Sequence, residues 1–218
     1  MNEISYTVRR SPRARRVRVT VDPTSGVQVV LPRLAHEREA AAAVRELRPW
    51  IERRVKEVAE LRETLAARGP YVPYLGTLLH LRAQPGRTRV HRRGDALLTP
   101  AGSAQRAALE RWYRRAARTE IARRLDNACA EIGSPYTTLT IRGQRTRWAS
   151  CSRTGAMSFN WRLLLAPEPV LDYVVWHEVC HLRVPDHSQR FWELLATHRP
   201  GYRQQVRWLR RHGAALVL

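Results

Sequence analysis

Two histidines and a glutamate interrupt an apolar run: Tyr173, Val174, Val175 and Trp176 lead into His177, Glu178, Val179, Cys180 and His181, which spell HEVCH. The run predicts a helix, and two imidazoles and a carboxylate are costly to bury on it unless a partner satisfies them. At roughly 100° per residue, His177 and His181 share one face, a turn apart, where they can bind one metal ion together. Glu178 lies beside them, placed to act on water at that ion. The competing reading is a pair of hydrogen-bonded core histidines. The chain has 8 histidines in 218 residues, so a random match to His-Glu-x-x-His has a chance of about 2 in 100, and the metal reading is preferred.

A catalytic zinc commonly keeps three protein ligands and one open position. His187 is the expected third ligand, six residues after His181 with Pro185 between them. The proline pushes Val184 out of helical geometry, ends the helix near there and lets the chain turn back toward the metal. Glu193 is the rival ligand. It sits in the next helical pattern, Ser188 to Thr197, with Phe191, Trp192, Leu194 and Leu195 around it, and is expected to face solvent. His198, followed by Arg199 and Pro200, reads as a surface or capping residue at the end of that helix. Three neutral imidazoles leave the charge of a Zn2+ ion intact for acidifying water, and Glu178 is then the expected general base.

Upstream, Val17, Val19 and Val21 alternate with Arg16, Arg18 and Thr20, the period of a half-buried strand. A polar break at Asp22 to Gly26 leads to Val27, Val29 and Leu31, a hairpin signal. His36 to Arg68 is helical in pattern, with Pro49 expected to divide it into two helices and Gly69 and Pro70 to end it. Short strands are expected around Leu78 to Leu81 and Ala96 to Leu98. Ser103 is placed to cap a long helix running to about Ile132, before Gly133 and Pro135. Thr137 to Ile141 reads as a strand, and Arg145 to Cys151 with Ala156 to Leu164 as a hairpin. The fold class is therefore α+β: an N-terminal β-hairpin and helical region over 1–100, then a domain over 101–218 with a small sheet and the HExxH helix.

A strand beside such a helix can offer its edge to an extended peptide through backbone hydrogen bonds; Arg147 to Cys151 is the expected edge. Arg147, Trp148, Asn160 and Tyr202 are the candidate substrate-contacting residues, and Arg147 and Tyr202 are also candidates for stabilising an oxyanion. Trp148 and Trp161 have core packing as their competing role. Asp172 is expected either to favour the helix N-terminus by charge or to hold an arginine or a ligand imidazole in place.

The chain carries 39 Lys plus Arg against 19 Asp plus Glu, a net charge of +20, and Lys56 is its one lysine. The arginines cluster at several places, including Arg203, Arg207, Arg210 and Arg211. Such a surface attracts polyanions, so nucleic acid is an expected partner on charge alone, although no helix-turn-helix or zinc-finger signature accompanies it. No apolar run approaches a membrane span and Met1 to Ser5 hold no signal core, so a cytoplasmic protein without membrane contact is expected. Cys129, Cys151 and Cys180 form no CxxC pair and are an odd number, against a disulfide framework. Cys180 reads as a small core residue, and Cys151 either as a structural strand residue or as one bordering the site.

Five segments carry a resemblance: RWASCS (Arg147 to Ser152), MSFNWRLLLAP (Met157 to Pro167), DYVVWHEVCHL (Asp172 to Leu182), DHSQRFW (Asp186 to Trp192) and PGY (Pro200 to Tyr202). In order and spacing they resemble the YgjP-like metallopeptidase family, a zincin group related to SprT and WLM-type proteases. Ala149 stands where that family's pattern has glycine and Asp186 where asparagine is commoner. The resemblance implies zinc ligands at His177, His181 and His187, Glu178 as base, a zincin-like catalytic domain, and peptide or protein as substrate. Two other functions stay open: hydrolysis of nucleotides or other phosphoanhydrides at the zinc, which arginines suit, and a nucleic-acid-binding module with a structural zinc.

Overall fold

The computed structural model describes residues 4–22, 26–144 and 147–218, so the expected turn at 23–25 and the first two residues of the expected strand at 145–151 lie outside the described residues. The chain divides into two compact units, Met1–Gly69 and Pro70–Leu218. Among the described residues it is a mixed α and β protein with six α-helices and three small sheets.

In the first unit β1 (Thr7–Ser11), β2 (Arg18–Asp22) and β3 (Gly26–Pro32) form a sheet in the order β1-β3-β2. The expected β2–β3 hairpin is antiparallel, with Val19 opposite Val29 and Val21 opposite Val27. The parallel pairing of β1 on β3 was not foreseen, because a strand with four of its five residues exposed carries no buried alternation to read. Helices α1 (Glu37–Glu46) and α2 (Arg48–Ala67) are divided at Leu47, immediately before Arg48 and Pro49. The His36 N–H donates to the Glu39 carboxylate at 2.8 Å, half of a capping box that starts α1.

The second unit opens with β4 (Tyr71–Tyr74), β5 (Thr77–Gln84), β6 (His91–Arg93) and β7 (Ala96–Pro100), in the order β4-β5-β7-β6. Its buried Val72, Leu79, Val90 and Leu97 belong to the same core as the long helix α3 (Ala104–Ile132). Compactness divides the chain at 69/70, since this sheet shares its apolar face with the helix that follows it. The start of α3 agrees with the sequence, but Ser103 makes no side-chain cap, being already in helical geometry. Gly133 ends the helix in the left-handed region at φ 67°, where a side chain is strained.

Strands β8 (Thr138–Arg142), β9 (Ala149–Cys151) and β10 (Ala156–Asn160) form the third sheet, ordered β8-β10-β9, with β9 at an edge. The expected continuation of β10 to Leu164 is instead a 3-10 turn, Trp161–Leu165. The Asn160 amide oxygen accepts from the Arg162 N–H at 3.1 Å and its amide nitrogen donates to the Gln144 carbonyl at 2.7 Å. Helix α4 (Glu168–Cys180) is mostly apolar and mostly buried, with Val170, Leu171, Val174, Val175, Trp176, Val179 and Cys180 in the core and Glu168 and Pro169 exposed at its start. It is followed by α5 (Gln189–His198) and α6 (Tyr202–His212). Among the described residues no helix is long and apolar enough to cross a membrane.

Arg124 ties α4 to α3. Its side chain, 9% exposed, donates to Glu120 and Glu168 at 2.7 Å each and to Asp172. Of the two roles read for Asp172, the structure shows the pairing with an arginine. Truncating a buried guanidinium that serves three carboxylates leaves like charges facing one another, so Arg124→Ala is expected to lower unfolding free energy by about 2 kcal/mol, measured by urea denaturation.

Candidate metal centre

The last turn of α4 carries His177 and Glu178, and His181 is the residue that caps it. The helix stops at Cys180, earlier than Pro185 alone suggests: Leu182 N–H donates to Val179 at 3.0 Å, and Arg183 and Val184 both return to the Cys180 carbonyl at 3.1 and 2.9 Å. Arg183 fastens this turn to the end of α3, donating to Ser134 Oγ at 2.8 Å and to the Ile132 carbonyl. The chain then reverses. Asp186 Oδ1 accepts from Ser188 N–H at 3.0 Å, forming the local turn that presents His187.

These turns bring together one ring nitrogen each from His177, His181 and His187, all within 4.8 Å of one another. His177 Nε2 and His187 Nε2 are 3.0 Å apart. His181 Nδ1 lies 3.1 Å from the Val184 carbonyl, which favours a proton on that nitrogen and leaves Nε2 with its lone pair free. Burial first, and then the neighbouring His181 and His187, hold His177 down to about 3. It is therefore neutral at physiological pH, as a metal ligand must be. Among the described residues its buried Nδ1 has no hydrogen-bond partner. The donor set suits one divalent metal ion. Glu193, the rival ligand, stands outside the cluster, exposed and accepting from Gln189 at 2.7 Å.

Glu178 is 6% exposed. Burial pushes its carboxyl up to about 7, while a hydrogen bond from the Cys151 backbone and the charge of Arg147 act in the opposite direction. A carboxyl tuned near neutrality suits proton transfer at neutral pH. Its contact with Cys151 also fixes the relation of α4 to β9. Asn160 N–H donates to Trp148 at 2.7 Å and Ser152 N–H to Ala156 at 2.9 Å. By the alternation of an antiparallel ladder, the backbone groups of Ala149 and Cys151 therefore face the open edge.

Of the candidate substrate residues, Arg147 is exposed and its charge reaches Glu178. Tyr202 stacks between Tyr173 and Trp192, at centroid distances of 6.5 and 5.5 Å. Trp148 is half-buried and packs against Gly213, where an added Cβ would come within 2.9 Å of its ring. Asn160 departs from expectation: it is 2% exposed and its amide is spent on capping the turn after β10, so it supports the sheet from inside. His198 is not a simple surface residue either, since it stacks on Trp176 at 4.1 Å and meets Glu131 at 2.7 Å.

Several residues around the cluster were not foreseen. Phe191 packs against all three imidazoles, at 4.9, 4.5 and 4.9 Å. Trp192 donates its indole N–H to the His187 carbonyl at 3.0 Å, and Tyr173 meets the His177 ring edge-on at 5.9 Å. Their spacing carried a signal: Tyr173 precedes His177, and Phe191 follows His187, by one helical turn. Trp192→Phe keeps an aromatic ring but removes the N–H that holds the His187 backbone. It is expected to weaken metal binding roughly 10-fold, read by competition with a chromophoric chelator.

Three convergent imidazoles at the end of a mostly buried helix, flanked by an open sheet edge, form a candidate metal centre. The family model described as YgjP-like, metallopeptidase domain matches residues 15–212, and the chain belongs to this family. Among solved structures, the metallopeptidase zymogen of Pyrococcus abyssi abylysin is similar at 22% identity and a TM-score of 0.38, over 42% of this chain and 93% of that one. No curated protein matches the chain.

Proposed function

We propose that the protein is a zinc metallopeptidase in which His177, His181 and His187 hold the metal and Glu178 is the general base. The convergence of the three imidazole nitrogens within 4.8 Å carries this reading. Zn–N bonds of about 2.0–2.1 Å in a tetrahedral site put ligand nitrogens about 3.3 Å apart. The 3.0 Å separation of His177 and His187 is close to that edge, and all three ligand atoms lie within 4.8 Å of one another.

A zinc ion held by His177, His181 and His187 would supply Lewis acidity, able to polarise a carbonyl and to acidify water. The chain supplies the rest. The backbone N–H and carbonyl of Ala149 and the carbonyl of Cys151, at the edge of β9, pair with an extended peptide, a recognition independent of sequence. Glu178 takes a proton from the attacking water at its carboxylate and returns it to the leaving amine. Arg147, exposed and close enough for its charge to act on Glu178, donates to the oxygen that gains charge. Tyr173, Trp192 and Tyr202 form an aromatic wall beside the histidines and limit water there.

The family match points to peptide bonds rather than phosphoanhydrides, and the +20 charge stands alone for nucleic acid. Zinc-loaded protein is expected to cleave an unfolded protein substrate and to leave nucleoside triphosphates intact, with both assayed on one preparation. Cleavage of the triphosphate alone would replace this reading with the phosphoanhydride one. Absence of both, with one equivalent of zinc bound, would make the metal structural.

A further inference from the structure

A groove of about 940 Å³ runs between α5 and α6, with Trp192 and Tyr202 among its lining residues. It therefore begins at the aromatic wall of the metal centre: the Trp192 ring is 5.6 Å from that of His187 and 5.5 Å from that of Tyr202. Ala196, Pro200 and Val206 give it an apolar lining. Along one side stand Arg203, Arg207 and Arg210, spaced four and three residues apart and so aligned on one face of α6.

These arginines differ from others in the chain. Arg114, Arg123 and Arg124 are paired with carboxylates. Among the described residues, Arg203, Arg207 and Arg210 are all exposed and none has a carboxylate partner. Arg203 lies over Tyr202 at 5.9 Å, and the charge of Arg210 acts on the Tyr173 hydroxyl. The one acid in the groove, Glu193, is engaged by Gln189. The groove is thus a cationic, partly apolar channel leading away from the metal centre.

We propose that this groove is a substrate subsite selecting acidic side chains on one flank of the cleaved bond, with Arg203, Arg207 and Arg210 as the specificity-determining residues. The proposal rests on the peptidase reading above. Its geometry suits an extended peptide: the four- and three-residue steps along α6 advance about 6 and about 4.5 Å, alternate side chains of a strand are about 6.7 Å apart, and long arginine side chains span the difference. Carboxylates at alternate positions therefore meet successive guanidinium groups. The aromatic and aliphatic lining receives the intervening peptide. A phosphate backbone has the right charge but offers little for Ala196, Pro200 and Val206 to cover.

The test is equilibrium binding, by fluorescence anisotropy at low salt, of an eight-residue peptide with Glu at alternate positions and of its Gln counterpart. The zinc-loaded full chain carries Glu178→Gln so that neither peptide is cut. The Glu peptide is expected to bind about five- to tenfold more tightly, as a few exposed charge pairs allow. That ratio should fall toward one in Arg207→Ala/Arg210→Ala and persist in Arg211→Ala, which changes an exposed arginine outside the groove lining. Equal binding of the two peptides overturns the proposal, as does a ratio retained in the double variant. So does a single-stranded oligonucleotide of equal charge that binds more tightly than the Glu peptide and depends on the same two arginines. Failure of the peptidase reading would show separately, as absence of cleavage by the wild-type chain.

Discussion

Replacing Glu178 by glutamine is expected to lower peptide hydrolysis by about 100- to 10 000-fold, the range for a general base, with metal content unchanged. The glutamine is nearly isosteric and its amide oxygen can still accept from the Cys151 backbone, so the relation of α4 to β9 should survive. Retained hydrolysis with zinc bound would remove Glu178 from the reaction. The same variant has a signature in the metal-free protein. Glu178 titrates near 7 when folded against an ordinary 4.5, so over that interval the folded state binds the extra proton. Stability contributed by this group is therefore present below about 4.5 and is lost as pH rises through about 7. Glutamine has no such loss. Metal-free Glu178→Gln should gain on wild type across this window, by on the order of 3 kcal/mol at its upper end, followed by urea unfolding at a series of pH values. A constant difference would mean that the carboxyl is not held by burial.

His187→Ala is the second large effect. It removes one of the three proposed ligands, so zinc affinity should fall by more than the roughly 10- to 100-fold that loss of an outer hydrogen bond costs. Hydrolysis should fall with it. His187 is exposed, in a turn held by Asp186 and Trp192, so its truncation should leave the metal-free melting temperature nearly unchanged. Loss of metal without loss of fold is the outcome to measure, by metal analysis after gel filtration alongside thermal unfolding. Undiminished zinc binding would direct attention to Glu193 or another ligand.

Much of the site was legible because it is local. HEVCH places two imidazoles and a carboxylate within one helical turn, and Pro185 limits how far the helix can run. The contacts that position the third imidazole are mostly local too: Asp186 turns onto Ser188, and Trp192 reaches back to His187. The fold was legible where burial alternates, as in β2 and β3, and where proline or glycine punctuates helices, as at Pro49 and Gly133. It was not legible in β1, which is nearly all exposed, nor in β4 and β6, which are short strands.

Asn160 shows the other limit. As a polar residue at the end of a strand in the resembling segment it read as a group able to reach substrate, yet its amide is consumed inside the sheet. Whether a polar side chain faces outward depends on which backbone groups need satisfying nearby, and those come from Gln144 and Arg162. The division between the units is similar. It falls at 69/70 because Val72, Leu79, Val90 and Leu97 share a core with α3, an assignment between distant apolar faces that periodicity cannot make.

The sequence by itself determined the family and which three imidazoles come together, because residue types and their spacing along one helix and its exit turn are short-range properties. Only the tertiary structure decided what surrounds them: β9 beside Glu178, Phe191 under the three imidazoles, and α6 carrying its arginines to the groove that opens from the site. Those neighbours are brought together by burial of apolar surface across elements far apart in the chain, which is a property of the packed core and not of any one segment.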